Sequence, residues 1–313
     1  MRIRRANHLG MCFGVRNAIR LALDQARSQP LTVLGDLVHN ETVLGLLRSQ
    51  GIRTARLGEA IATSAVMVTA HGASNRAKAA LRAGGLDVIE ATCPLVQHAH
   101  LAILALARAG YHPVVVGQRD HVEVRGLTGD LDAFDVILTD QDVRQLRPHP
   151  RFGIAAQTTQ PSDHVRHLAG LLRERFPESE VKYVDTVCRA TKERQWAAVE
   201  LAQECDVVVV VGGARSNNTR ELVATCARHC ARVHRVESPE EVRFEWFRIA
   251  DMVGLTAGTS TPDDVIAGVD ARLRAIARVA DPNPAPDAQA ELLAEAMPSG
   301  EIEGVRASCL AAG

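Results

Sequence analysis

Ala91-Thr92-Cys93-Pro94-Leu95-Val96 sets a cysteine between an apolar strand and a helix. Upstream, Leu86-Asp87-Val88-Ile89-Glu90 reads as a short strand. Downstream, Pro94 suits a first helical turn, where its missing N–H costs nothing, and Leu95 to Arg108 carries helical periodicity. Cys93 therefore stands at a helix N-terminus, whose unpaired N–H groups and macrodipole favour a thiolate. Two other cysteines repeat this placement. Cys12 follows His8-Leu9-Gly10-Met11 and precedes the amphipathic run Val15 to Arg27. Cys188 ends the strand-like Val181 to Val187 and precedes the helical run Ala190 to Glu204. The spacings are 81 and 95 residues, each about the length of a small α/β unit, and no CxxC pair points to a zinc ribbon. Three thiolates from three units can converge on one centre.

Length alone predicts roughly two domains, but three cysteine-marked units fit 313 residues better. A composition of 46% hydrophobic and 23% charged residues is that of an ordinary globular protein. A net charge of −1 with 3% aromatics argues against nucleic acid as a partner, since neither phosphate attraction nor base stacking is provided for. The basic start Met1-Arg2-Ile3-Arg4-Arg5 is not followed by an apolar signal region, and no stretch of about 18 apolar residues predicts a membrane span. Seven cysteines, an odd number, favour free thiols or a cluster in a reducing cytoplasm.

Apolar runs of four to seven residues recur between amphipathic segments, the pattern of a parallel α/β protein. Strands are expected at 31–34, 65–69, 87–90, 113–116, 136–139, 152–156, 181–186, 207–211, 232–235 and 252–255. The residues just beyond them are polar and chemically capable: His39-Asn40, His71-Gly72, Thr92-Cys93, His121 with Glu123, Gln157-Thr158-Thr159, Ser216-Asn217-Asn218, and Thr259-Ser260. Ligands of open parallel sheets bind beyond the carboxyl ends of strands. A serine, threonine or asparagine there is often only a helix cap. Histidine is not a favoured cap, so capping leaves three of them unexplained. With the hydroxyls and amides they read as an anion pocket, although a single such histidine is more often a core or surface residue. Glu123 is the nearby carboxylate suited to proton delivery. For the cysteines, spacing alone leaves two readings side by side: ligands of an iron–sulfur cluster, or three buried free thiols. Cys205, Cys226 and Cys230 read as core, and Cys309 falls in a tail.

Several strings resemble the 4-hydroxy-3-methylbut-2-enyl diphosphate reductase (IspH/LytB) family. They are Gly10-Met11-Cys12-Phe13-Gly14-Val15, Val38-His39-Asn40, His71-Gly72, Ala91 to Val96, His121-Val122-Glu123-Val124 and Gln157-Thr158-Thr159. Thr186-Val187-Cys188, Ala190-Thr191, Arg194-Gln195, Ser216-Asn217-Asn218 and Thr256-Ala257-Gly258 with Ser260 and Pro262 continue the match, collinear over residues 10–262. The resemblance implies a three-lobed α/β fold, three small αβα units with parallel sheets in pseudo-threefold arrangement around a central 4Fe–4S cluster. It implies that Cys12, Cys93 and Cys188 hold the cluster, leaving one iron not bound by cysteine. It implies that His39, His71, His121, Ser216, Asn218 and Ser260 bind the substrate diphosphate, with Thr159 nearby and Asn217 still able to donate to phosphate. Glu123 and Thr158 are implied as the catalytic proton relay.

The activity implied is that of an oxidoreductase of the methylerythritol phosphate route of isoprenoid biosynthesis. It would remove the hydroxyl of an allylic diphosphate to give isopentenyl and dimethylallyl diphosphate. With no flavin or nicotinamide fingerprint in the chain, electrons would come from a ferredoxin or flavodoxin. The chain departs from the family's usual residues at Asp120, Val122, Arg125, Arg215 and Asn217. The altered loop at 120–125 keeps open a paralogue acting on another allylic diphosphate, and a non-catalytic iron–sulfur sensor is the alternative of a different class. The expected units are 1–93, 94–187 and 188–280, followed by a Pro/Ala-rich acidic tail, 281–313, expected to be disordered.

Overall fold

The computed structural model describes residues 1–279; the tail and Cys309 lie outside them. The strands are β1 (Arg2–Arg5), β2 (Leu31–Leu34), β3 (Arg53–Ala55), β4 (Ala65–Val68), β5 (Asp87–Glu90), β6 (His112–Val116), β7 (Asp135–Ile137), β8 (Arg151–Ala156), β9 (Glu180–Tyr183), β10 (Val207–Val211), β11 (Val233–Val236) and β12 (Met252–Ala257). The helices are α1 (Phe13–Ser28), α2 (Glu41–Ser49), α3 (Asn75–Ala83), α4 (Pro94–Arg108), α5 (Val122–Thr128), α6 (Asp140–Gln145), α7 (Ser162–Arg175), α8 (Arg189–Glu204), α9 (Asn217–Ala227) and α10 (Asp263–Val279).

Three four-stranded sheets result, in the orders β3-β2-β4-β5, β7-β6-β8-β9 and β11-β10-β12-β1, every pairing parallel. The first two orders are the same arrangement: second strand, first, third, fourth. The third repeats it with one exchange. Its fourth strand is β1, from the start of the chain, with Arg2 to Arg5 in register with Met252 to Leu255. This corrects the expected unit 1–93, whose first strand belongs to the third lobe. An alternation of arginines around Ile3 carries no apolar run to predict a strand. It suits an edge, where charge discourages pairing with another chain.

Parallel sheets buried on both faces need continuously apolar strands. β10 is the plainest case, five valines all fully buried. β-branched side chains favour the extended backbone, and full burial is worth about 1.5–3 kcal/mol for each. Each sheet carries an apolar cluster on either face: around Leu31, Leu37 and Met67 and around Val66 in the first lobe, around Phe152 and Leu168 and around Val115 and Leu127 in the second, around Val209 and Leu255 and around Val208 and Leu222 in the third.

The cysteines occupy equivalent places in this repeat. Cys93 lies between the fourth strand β5 and helix α4, Cys188 between the fourth strand β9 and α8, and Cys12 between β1, serving as fourth strand, and α1. Each is the N-cap residue of its helix. A cysteine thus marks every passage from one lobe to the next.

Candidate active site

The carboxyl ends of the strands deliver side chains to the junction of the lobes. His39 follows β2, His71 follows β4, and His121 caps α5 beyond β6, its Nδ1 accepting from the Glu123 N–H at 3.1 Å. Their rings form one cluster. His39 and His71 stack with centroids 5.0 Å apart, and His121 stands edge-on to both at 5.5 Å. Nδ1 of His39 and of His71 is buried without a hydrogen-bond partner. Burial holds His71 well below the usual histidine range, reinforced by the other two rings. Burial drives His121 down to about 3, with His39, Arg220 and Arg125 adding to it, and lowers His39 despite Asp36. All three rings are neutral near pH 7.

The third lobe closes against this cluster. A Cβ on Gly213 would stand 2.5 Å from the backbone oxygen of His39, so only glycine permits that approach between β10 and the first lobe. Ser216 caps α9, accepting from the Thr219 N–H, and Asn217 and Asn218 are 2% exposed. Both polar atoms of the Asn218 amide and the Ser260 hydroxyl are buried and unpartnered. Unmet polar groups at such density are costly in a core and are characteristic of a ligand site. Asn217 instead donates to the Thr159 hydroxyl at 3.0 Å, fastening the third lobe to the second.

Glu123 is 1% exposed, and burial raises its carboxyl from 4.5 to about 7. The Thr158 backbone N–H donates to its Oε1 at 2.6 Å and pulls the other way without prevailing. The Thr158 carbonyl in turn accepts from the Cys188 N–H at 3.0 Å, so an acid titrating near neutrality adjoins a cysteine junction. The Glu123 charge also raises both Cys93 and Cys188, and Cys12 does the same, which places all three thiols and the carboxyl within electrostatic reach.

The thiolate expectation needs correction. Helix N–H groups do lower Cys93 and Cys188, through Leu95, Val96 and Thr191, but burial outweighs them and both thiols are raised. A helix end cannot offset desolvation when like charges share the cavity. A bound cation would reverse this, with release of protons.

The cysteines are free and half-buried. Among the described residues, the sets of three donors close enough to share one ion are His39/His71/His121 and His112/Asp135/His149. Cys12, Cys93 and Cys188 are not among these sets, so their sulfurs do not all lie within 4.8 Å of one another. Gly14 leaves room beside them, since its Cβ would stand 2.7 Å from Cys93 Sγ.

Sequence reasoning assigned no role to Arg194 or Arg220. Arg194, 8% exposed, donates twice to the Gly10 carbonyl and lies within electrostatic reach of Cys12 and Cys188. Arg220 reaches Gln118 Oε1 at 2.8 Å and acts on His39 and His121. Only its position one turn beyond Ser216 hinted at this. Arg215 ion-pairs with Asp36 at 3.1 Å and with Glu41, tying the third lobe to the first.

A family model described as LytB protein matches residues 3–274. The chain belongs to the LytB family. Among LytB relatives, 4-hydroxy-3-methylbut-2-enyl diphosphate reductase of Aquifex aeolicus is 37% identical over 277 residues, covering 87% of this chain and 95% of its own. The protein of the same name from Anaeromyxobacter sp. strain Fw109-5 is 35% identical, covering 90% of this chain and all of its own. A solved structure of (E)-4-hydroxy-3-methyl-but-2-enyl diphosphate reductase, described as the terminal enzyme of the non-mevalonate pathway, matches with TM-score 0.64 at 35% identity, covering 88% of this chain and 100% of its own. The Plasmodium falciparum E-1-hydroxy-2-methyl-but-2-enyl-4-diphosphate reductase matches with TM-score 0.79 at 25% identity, covering 85% and 86%. No helix among the described residues is long and apolar enough to cross a membrane.

Proposed function

We propose that this chain is an oxidoreductase converting 4-hydroxy-3-methylbut-2-enyl diphosphate into isopentenyl and dimethylallyl diphosphate. Its LytB membership and its reductase relatives support that reading. The observation that carries it within the site is the pairing of two unlike halves: a neutral histidine cluster beside unpartnered amide and hydroxyl groups, and a buried acid beside three junction cysteines.

Cys12, Cys93 and Cys188 would hold a 4Fe–4S cluster with one iron free of cysteine. When bound, that group supplies electrons and a Lewis-acidic iron. Everything else falls to side chains. His39, His71, His121, Asn218, Ser216 and Ser260 receive the diphosphate, with Thr159 and Asn217 bracing the far wall. Neutral imidazoles donate N–H bonds to an anion, and a bound anion raises their proton affinity, so these rings take up protons as the diphosphate arrives. Holding the remote diphosphate fixes the position of the hydroxyl at the other end, converting binding energy into alignment. Glu123 gives its proton to the departing oxygen, with Thr158 as the intervening hydroxyl. A carboxyl near 7 is matched to this task, since it is protonated often enough to donate and acidic enough to do so readily. Electrons would arrive from a small carrier protein, a ferredoxin or flavodoxin.

The test is turnover of 4-hydroxy-3-methylbut-2-enyl diphosphate by anaerobically purified, iron-loaded protein with a chemical reductant. Both pentenyl diphosphates should form. Iron-loaded protein that binds the diphosphate and never consumes it would overturn the reading.

A further inference from the structure

The histidine pocket lies where the strands of the second sheet end; another cluster lies where they begin. His112 opens β6 and is in register with Phe152 on β8, while Val114, two residues on, is in register with Asp135, which opens β7. His149 stands two residues before β8, in the irregular segment Pro148-His149-Pro150. Because β6 pairs with both neighbours, the sheet itself gathers two imidazoles and a carboxylate at one edge. His112 Nε2 lies 2.8 Å from Asp135 Oδ2, and the rings of His112 and His149 are parallel with centroids 3.7 Å apart. One donor atom from each of the three lies within 4.8 Å of the other two, and all three residues are half-buried. Phe152 stands edge-on to both rings as an apolar wall. The length of β6, about 3.3 Å per residue, separates this edge from His121.

We infer that His112, Asp135 and His149 form a second metal site, binding one divalent ion of the zinc class. Two imidazole nitrogens and a carboxylate oxygen suit Zn²⁺ and its late first-row neighbours, whereas Mg²⁺ and Ca²⁺ take oxygen sets. At bond lengths of 2.0–2.2 Å, donors in adjacent positions sit roughly 3 Å apart. The His112–Asp135 pair already has that separation, so the ion takes the place of the proton between them. The His149 ring must turn out of its parallel stack to direct a lone pair at the same point. Its backbone need not follow, since the His149 carbonyl is held by the hydrogen bond it accepts from Ser179 Oγ at 2.7 Å. The remaining coordination positions face solvent and belong to water. The bound ion ties the segment before β8 to the starts of β6 and β7 and takes no part in reduction.

Equilibrium dialysis of iron-loaded, anaerobic protein against micromolar Zn²⁺, with zinc and iron assayed together, tests this. Unmodified protein should retain one zinc per chain in addition to its iron, and excess Mg²⁺ should not displace it. His149→Ala and Asp135→Asn should each weaken retention about tenfold or more. Zn²⁺ should raise the Tm of unmodified protein and not that of His149→Ala, whose zinc-free Tm and turnover serve as the check on folding. Equal zinc retention by unmodified protein and His149→Ala, or none by either, overturns the site.

Discussion

Replacing Glu123 by glutamine should make this protein more stable and far less active, and the stability gain should grow with pH. The carboxyl is fully enclosed and titrates at about 7 in the folded chain against 4.5 in the ordinary state. A raised pKa means that the folded state holds the proton more tightly. The stability contributed by the protonated acid is complete below 4.5 and is lost as pH rises through 7. With 1.36 kcal/mol per pKa unit, a shift of about 2.5 units makes the cost of ionising the buried group about 1 kcal/mol at pH 5, about 2 at pH 6 and about 3 above pH 7. Glutamine has no charge to bury, and its amide oxygen still accepts the Thr158 N–H that now reaches Oε1 at 2.6 Å. Urea unfolding of unmodified and Glu123→Gln protein in parallel at pH 5 and pH 8.5 should therefore give curves that separate by about 2–3 kcal/mol more at the higher pH. Turnover at pH 7 should fall about 10²–10⁴-fold, the usual worth of a positioned acid, while affinity for inorganic diphosphate changes little. A stability difference independent of pH would refute the argument, because it would mean that this carboxyl holds its proton no more tightly in the folded protein than in the unfolded chain. Full turnover by Glu123→Gln would remove it from the proton path whatever its pKa.

Four further outcomes are expected. Gly213→Ala brings a methyl to 2.5 Å from the His39 carbonyl, so the third lobe must back away; inorganic diphosphate affinity should drop by about 1–3 kcal/mol with iron content unaltered, as calorimetry and iron assay would show. His39→Ala, His71→Ala and Asn218→Ala should each weaken diphosphate binding about ten- to a hundredfold. In unmodified protein, binding near pH 7 should take up protons, and affinity should rise as pH falls, because rings held low in the free site gain a counter-charge; calorimetry in buffers of different ionisation enthalpy reads this directly. Alanine at Cys12, Cys93 or Cys188 should abolish the brown colour and the iron of anaerobic protein, whereas Cys226→Ala, in the core of the third lobe, should lower stability alone and leave iron intact.

The sequence carries much of this fold in plain form. Ten of the twelve strands among the described residues stand out as apolar runs, because strands buried on both faces must be apolar throughout. The two that escape notice are the edges: β3 is three residues long, and β1 is largely arginine. With β1 went the third sheet's last strand and the true limit of the first unit. Within the site, His39, His71 and His121 were identifiable as residues beyond strand ends, but separations of 32 and 50 residues cannot say that their rings lie about 5 Å apart. The direction of the cysteine pKa values was legible only in part. Helix position is local and can be read from Pro94, whereas burial among like charges is a property of the assembled lobes. Asn217 and Arg215, conspicuous as departures from the family's usual residues, turn out to make contacts between lobes, with Thr159 and with Asp36 and Glu41.

The borrowed strand of the third sheet has a consequence for the order in which the lobes can be connected. In the first lobe α3 ends at Ala83 and the fourth strand starts at Asp87; in the second, α7 ends at Arg175 and the fourth strand starts at Glu180. The third lobe has the corresponding helix, α10, described as far as Val279, and the strand it would feed is β1, starting at Arg2. Joined there by a turn of about four residues, the usual length of an αβ connection, the chain becomes a closed loop of three equal stations, each a fourth strand, a cysteine and a helix. Such a loop has no privileged opening. A permuted gene that links residue 279 to Met1 and starts instead at Pro94 or Arg189 asks for the same contacts in a different order of synthesis. It should fold to the same three lobes, with its cysteine junctions unmoved.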